Sequence, residues 1–331
     1  MSIRGKRGHA GDGAAELRVR EVITPWDTYE HVAERVIVQC QTKFQHVQLL
    51  DTRAFGDVLV LDGICQSSSV DEFIYHETIV HPAMAILGDA RNVLVLGGAE
   101  GATLREVYRW PTVERATMVD IDEELVALCR EHLPTWAGGA FEDPRTVLAL
   151  GDAVAFLKAS TETFDVIIAD MSDPVEEGPA TFCFTQEFFQ SVADHLSPEG
   201  VFVLQGGPAN PAEGALHAKV LRTLETVFAD IESYLCPATI YGRPLGLAMG
   251  SRVAMRPRLS AASQSGRVAD IAEQWRFLTP AALLGLLGIA PYVRAEMLAS
   301  DVIFRDDAPP QNDLGGDWAT LPQNGAAKGN A

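Results

Sequence analysis

Between residues 92 and 204, short apolar runs alternate with segments of helical period. Val93–Leu96, Ala116–Ile121, Thr146–Leu150, Phe164–Ala169 and Val201–Leu204 are near-continuous apolar runs, the pattern of strands covered on both faces. The intervening segments Ala102–Arg109, Glu123–His132, Ala153–Ala159 and Gln186–His195 have helical period and composition. This alternation predicts parallel strands with right-handed crossovers, hence an α/β, doubly wound, mainly parallel sheet. Between Glu34 and Gln66, alternating runs such as Arg35–Val38 and Val58–Leu61 are broken by turn residues at Thr42-Lys43 and Phe55-Gly56-Asp57. They predict a small antiparallel β domain. The expected organisation is a tail over 1–17, a β domain over 18–80, a Rossmann-like domain over 81–255, a helical appendage over 256–305 and a second tail over 306–331. Within the appendage, Ser251–Gln274 reads as a linker followed by a helix, and Trp275–Leu298 as helical.

Composition narrows the setting without naming the chemistry. The 331 residues are 47% apolar and 21% charged, enough for a substantial core. With 45 acidic against 26 basic residues the net charge is −19, which repels phosphate-rich partners and argues against nucleic acid. The same surface is permissive for polycations, although solubility alone accounts for it. Five scattered cysteines without a CxxC pair argue against a disulfide framework and a zinc site. Met1–Gly13 is polar and glycine-rich, without the basic residues joined to an apolar run that mark a secretory leader, and the apolar run Pro280–Val293 is short for a bilayer. A reduced, cytoplasmic protein with no membrane partner is expected.

In a doubly wound sheet, ligands bind beyond the carboxyl ends of the strands. The first apolar run is followed by Gly97-Gly98-Ala99-Glu100-Gly101, where small residues allow close approach of backbone to a ligand. A carboxylate in that turn would repel a dinucleotide pyrophosphate and suits a cationic ligand. Asp120 follows the second run at the place where an acidic residue accepts hydrogen bonds from ribose hydroxyls. Asp152 follows the third, and Asp170 with Asp173 the fourth. Any one of these could be a helix N-cap, Asp152 above all. Together, with no basic residue in the same loops, they describe a nucleoside pocket that also attracts positive charge. His76 and His81 superficially resemble a zinc-peptidase pair, but their spacing is one residue too long to share a helix face, so no metal is expected.

Leu61-Asp62-Gly63, Gln66, the run Asp71–Glu77, the Gly97 loop, Val119–Asp122, Gly151-Asp152-Ala153 and Asp170-Met171-Ser172-Asp173-Pro174 occur in this order. In this set the chain resembles spermidine synthases and related aminopropyltransferases over roughly Trp26–Ser251. Glu100, the stretch Gly101–Val107 and the loop Asp173–Pro179 look most like the thermospermine-synthase and thermophile branch. The resemblance implies a methyltransferase-like Rossmann domain behind a small β domain, assembled as a homodimer or homotetramer. It implies decarboxylated S-adenosylmethionine as co-substrate, a diamine or polyamine as acceptor and no prosthetic group. Carried over by position, Gln45, Gly97, Gly98, Glu100, Asp120, Asp152, Ala153 and Pro179 would bind the donor. Gln66, Tyr75, His76, Glu100, Asp170, Asp173, Gln205 and Tyr241 would surround the acceptor and the aminopropyl group, with Asp170, Asp173 and Tyr75 catalytic. Ala99 departs from the family's third glycine, and a positive φ there would cost about 1 kcal/mol. The competing readings are an S-adenosylmethionine methyltransferase and a non-catalytic polyamine-binding protein. An NAD-dependent dehydrogenase fits least, because the GxGxxG spacing is absent.

Overall fold

A computed structural model describes residues 17–24, 27–174 and 180–310. The N-terminal sheet has order β1-β2-β3-β4-β5, formed by β1 (Leu17–Val22), β2 (Thr28–Gln41), β3 (His46–Thr52), β4 (Gly56–Leu61) and β5 (Ile64–Ser68). All its pairings are antiparallel. It begins at Leu17 rather than Glu34, because β1 and the first half of β2 form a largely exposed edge whose apolar alternation is weak.

The second sheet comprises β6 (Asn92–Gly97), β7 (Arg115–Asp120), β8 (Thr146–Leu150), β9 (Phe164–Asp170), β10 (Leu196–Pro208), β11 (Asp230–Cys236) and β12 (Leu245–Ser251). Its order is β11-β12-β10-β9-β6-β7-β8, parallel except where β12 pairs antiparallel with β10 and β11. Helices α1 (Glu72–Leu87), α2 (Ala102–Val107), α3 (Glu123–His132), α4 (Pro134–Ala137), α5 (Ala153–Ala159), α6 (Gln186–Asp194) and α7 (Ala215–Glu225) flank it. Side-chain alternation divides its core. Val93, Val95, Val166, Ile168, Val201 and Val203 pack in the core that includes Ile79 and Ala83 of α1. Leu94, Leu96, Ile167, Ala169, Phe202 and Leu204 face the opposite core with Leu157, Phe189 and Leu221. Burial of both faces explains the unbroken apolar runs.

Beyond β12, the described residues form four helices: α8 (Met255–Ser263), α9 (Gly266–Ala272), α10 (Pro280–Leu286) and α11 (Pro291–Ala299). The segment 251–274, read as a linker followed by a helix, therefore holds two helices, each too short to show a strong period. Residues 306–310, read as part of a tail, are tied down: the Thr185 hydroxyl donates to Asp306 Oδ1 at 2.7 Å, and the Asp306 amide donates to Glu187. The predicted tails otherwise lie outside the described residues.

The C-terminal segment is anchored on α1. Fully buried Glu77 accepts the amides of Arg276 at 2.6 Å, Phe277 at 2.9 Å and Leu278 at 2.8 Å. Trp275 stacks on His81, with centroids 4.4 Å apart. Trp110 donates to His81 Nδ1, and His81 Nε2 donates to Glu106 at 3.1 Å, so His81 is a neutral packing residue whose pKa burial lowers. Glu77→Ala should leave three amides without their acceptor, one of them buried, and at about 1 kcal/mol each cost on the order of 3 kcal/mol in denaturant unfolding. Faster proteolysis at 275–279 should accompany the loss.

Candidate active site

The carboxyl ends of β6, β7, β8 and β9 open into a cleft of about 1010 Å³ closed on its other side by β4, β5 and the segments carrying Gln205 and Tyr241. Its wall contains Gln45, Gln66, Tyr75, Gly97, Gly98, Glu100, Asp120, Asp152, Ala153, Asp170, Gln205 and Tyr241. Twelve of the residues picked from sequence thus meet in one cavity. Glu100, Asp120, Asp152 and Asp170 are its acidic members, and no described Lys, Arg or His lines it.

Each carboxylate is placed by local backbone chemistry. Gly97 has φ 82°, and a Cβ there would lie 2.2 Å from the Asp170 carbonyl oxygen, so only glycine lets the loop cross the end of β9. Gly98 and Gly101 are also in the left-handed region, whereas Ala99 is not. The departure from a third glycine is therefore without strain. Asp120 ends β7, accepts the Asp122 amide at 2.9 Å and is buried among carboxylates. Burial above all, then the charges of Asp122 and Asp170, push its pKa up to about 7. Asp122 caps α3 through the Leu125 amide at 3.1 Å and receives the Thr42 hydroxyl at 2.6 Å and Gln45 Nε2 at 3.0 Å. Asp152 caps α5 through the Ala155 amide at 2.7 Å, so the capping reading and the cleft reading hold together.

Asp170 has a donor on each oxygen: the Tyr75 hydroxyl on Oδ1 at 2.8 Å and the Thr103 hydroxyl on Oδ2 at 2.5 Å. Thr103 lies in the stretch Gly101–Val107 but was assigned no role from the sequence. Tyr75 is buried, meets Tyr241 edge-on at 5.8 Å and has its pKa raised, first by burial and then by Asp170, so it stays a hydroxyl donor. Tyr241 is brought there by Asp71, whose Oδ2 accepts the Thr239 amide at 2.8 Å and the Ile240 amide at 3.0 Å. Cys183 lines the cleft too, but burial raises its thiol to about 12 and leaves it protonated.

Two predicted positions sit elsewhere. Half-buried Asp173 does not line the cleft: Gln205 Nε2 intercepts it at 2.6 Å and stands between it and the cavity. His76 lies one layer behind the wall, buried, with Nε2 on Glu100 Oε1 at 2.9 Å and Nδ1 on Glu72 at 2.9 Å. Burial alone would depress its pKa, yet the two carboxylates prevail and lift it to about 10. A cation from α1, outside the acidic loops, thus supports Glu100 from behind. Pro179 lies outside the described residues. Among those residues no group of three or more His, Cys, Asp or Glu could hold a metal ion.

Residues 72–251 match the spermine/spermidine synthase domain, and residues 27–69 the spermidine synthase tetramerisation domain. The chain belongs to the spermine/spermidine synthase family. A polyamine aminopropyltransferase of Synechococcus sp. strain JA-2-3B'a(2-13) is 44% identical over 88% of this chain and 96% of its own. One from Aeropyrum pernix is 41% identical over 83% and 88%. A spermidine synthase solved in complex with the transition state analogue AdoDATO superposes with TM-score 0.79 at 25% identity, covering 88% of this chain and 99% of that one. The spermidine synthase of Thermotoga maritima, at 24% identity and TM-score 0.77, has the same fold. The family match spans β2 to β12, which supply every described lining residue of the cleft.

Asp120 carries a stability signature. Its pKa in the fold, about 7, exceeds the unfolded value near 3.8, so the folded state holds the extra proton between these values and stability falls as pH rises through the window. Asp120→Asn should raise stability at pH 8 by an amount on the order of 2–4 kcal/mol, with little change at pH 4. Thermal melts at both pH values, with nucleoside binding weakened in parallel, provide the check.

Proposed function

We propose that the cleft aligns decarboxylated S-adenosylmethionine with an amine acceptor, the adenosine lying toward Asp120 and Asp152 and the reacting chain between Glu100 and Asp170. Aminopropyl transfer is the activity that the family, the fold and the curated relatives support. One observation carries the reading of the pocket: four carboxylates and no described cationic side chain form its wall. The donor has a sulfonium and a primary ammonium but no carboxylate, so this wall complements it. S-adenosylmethionine would bring its own carboxylate against the same surface, which disfavours methyl transfer.

The amine lone pair attacks the carbon bonded to sulfur. The carbon–sulfur bond breaks, its electrons neutralise the sulfonium, and methylthioadenosine leaves. The new carbon–nitrogen bond creates an ammonium that releases one proton. An acceptor amine of pKa about 10 is almost wholly protonated at pH 7 and must be delivered neutral. Asp170 is the proposed acceptor of that proton. Tyr75 and Thr103 fix its orientation and also spread its charge, so it acts as a positioned but weak base that relies on proximity as well as proton affinity. Gln205 carries the influence of Asp173 to the cleft, and Tyr241 with Gln66 borders the acceptor path. Burial raises the Asp173 pKa, so a cationic acceptor nearby favours its ionised form.

No prosthetic group or metal has a role in this displacement. The acceptor is a di- or polyamine, among putrescine, agmatine, cadaverine, spermidine and norspermidine. In this reading the protein works in the cytoplasm as a homodimer or homotetramer, and the domain matched at residues 27–69 supports an oligomer.

Incubation with decarboxylated S-adenosylmethionine and each amine in turn should release methylthioadenosine, with product masses and fragments identifying the acceptor and the alkylated nitrogen. Absence of release with every amine would leave only polyamine binding. Asp170→Asn should lower kcat by ~10²-fold or more, as loss of a general base does. A loss within about threefold would exclude Asp170 as proton acceptor.

A further inference from the structure

Glu100 is held asymmetrically. The Ser67 hydroxyl and His76 Nε2 both donate to Oε1, each at 2.9 Å, and among the described residues nothing donates to Oε2. Behind His76 the contacts continue inward. Nδ1 meets Glu72 Oε2 at 2.9 Å and the Glu72 carbonyl at 2.8 Å. Arg105 Nη2 donates to that same Glu72 Oε2 at 2.8 Å, while its Nη1 donates to the Trp136 carbonyl at 2.5 Å and its Nε to Glu106 at 2.8 Å. The charges alternate from Arg105 through Glu72 and His76 to Glu100, with side-chain exposures of 17%, 6%, 1% and 12%.

We propose that Glu72, Arg105 and Ser67 are positioning residues for the donor, which act with His76 to hold Glu100 turned so that one oxygen, Oε2, receives the aminopropyl ammonium. The inference rests on the reading that Glu100 binds that group. Rotating the Glu100 carboxylate would break two hydrogen bonds on Oε1, so the free oxygen has a fixed direction. His76 can donate on both sides only as an imidazolium. Glu72 and Tyr75 on α1, Glu100 in the β6–α2 loop, and Arg105 on α2 behind Glu72 are the titratable and charged groups that face it. Tyr75 stays neutral, and Arg105 is spent on Glu72 and Glu106, so the two carboxylates alone favour the cation. Without Glu72, burial drives His76 toward the neutral form. One nitrogen then loses its hydrogen, and Glu100 loses either its donor or its orientation.

The test compares wild type with Glu72→Gln, Ser67→Ala and Glu100→Gln. The readouts are KM for decarboxylated S-adenosylmethionine, kcat, and calorimetric binding of methylthioadenosine, which keeps the nucleoside and thioether but has no ammonium. Glu72→Gln should raise the donor KM about tenfold, the value of one charge-assisted hydrogen bond, and leave methylthioadenosine binding within about twofold. Its donor KM should also climb from pH 6 to pH 8, where wild type stays flat. Ser67→Ala should raise the donor KM about threefold without that pH dependence. An unchanged donor KM in Glu72→Gln, or a parallel loss of methylthioadenosine binding, overturns the positioning role. If Glu72→Gln does not fold, Ser67→Ala decides, and an unchanged KM there overturns it. Glu100→Gln separates the premise: if its donor KM matches wild type, the assignment of Glu100 to the ammonium fails, whatever the other variants do.

Discussion

A helix enclosed on nearly every side has no water to satisfy its polar side chains, so each must find a partner in the protein or be lost to the fold. Helix α1 meets this constraint with Glu72, Tyr75, His76, Glu77 and His81 all buried. Glu72 binds Arg105, Tyr75 binds Asp170, His76 binds Glu100, Glu77 binds the 276–278 amides and His81 binds Trp110 and Glu106. Asp71, just before the helix, holds the turn that carries Tyr241. One helix therefore joins the N-terminal sheet, the glycine loop, the end of β9 and the C-terminal segment. The site is assembled by the satisfaction of that helix.

This arrangement also settles how so acidic a cleft coexists with a stable fold. Glu100 and Asp170 each have donors behind them before any ligand arrives. Asp120 is less well served, and its upward shift records a charge awaiting a partner. The wall is thus graded: two carboxylates are prepared in advance, and a third gains its full ionisation when hydroxyl donors or a cation fill the cleft.

The parallel strands were legible because burial on both faces leaves unmistakable apolar runs, and the acidic residues because strand ends place their followers at one edge. Helix α1 gave no comparable stripe, for a helix apolar and buried all round lacks one. Strand β11 was missed because its run carries the polar residues of an antiparallel edge, and β12, buried between β11 and β10, because glycines interrupt its apolar run. The counter-charge on Glu100 escaped notice because His76 is distant in sequence and its protonation depends on two carboxylates meeting around it. Asp173 was placed in the cleft by its motif, whereas the long β10 brings Gln205 across its path. Thr103 and Ser67 are single hydroxyls in unremarkable surroundings, and only three-dimensional proximity gives them a role.

The carboxylate of Asp122 belongs to two bodies at once, capping α3 of the large sheet while gripping Thr42 and Gln45 of the small one. A force that tilts the small sheet is transmitted through these bonds to the nucleoside side of the cleft, because the Asp122 amide also seats Asp120. The small sheet is the part matched to a tetramerisation domain. The nucleoside side of the cleft is therefore fastened to both sheets through a single carboxylate, that of Asp122.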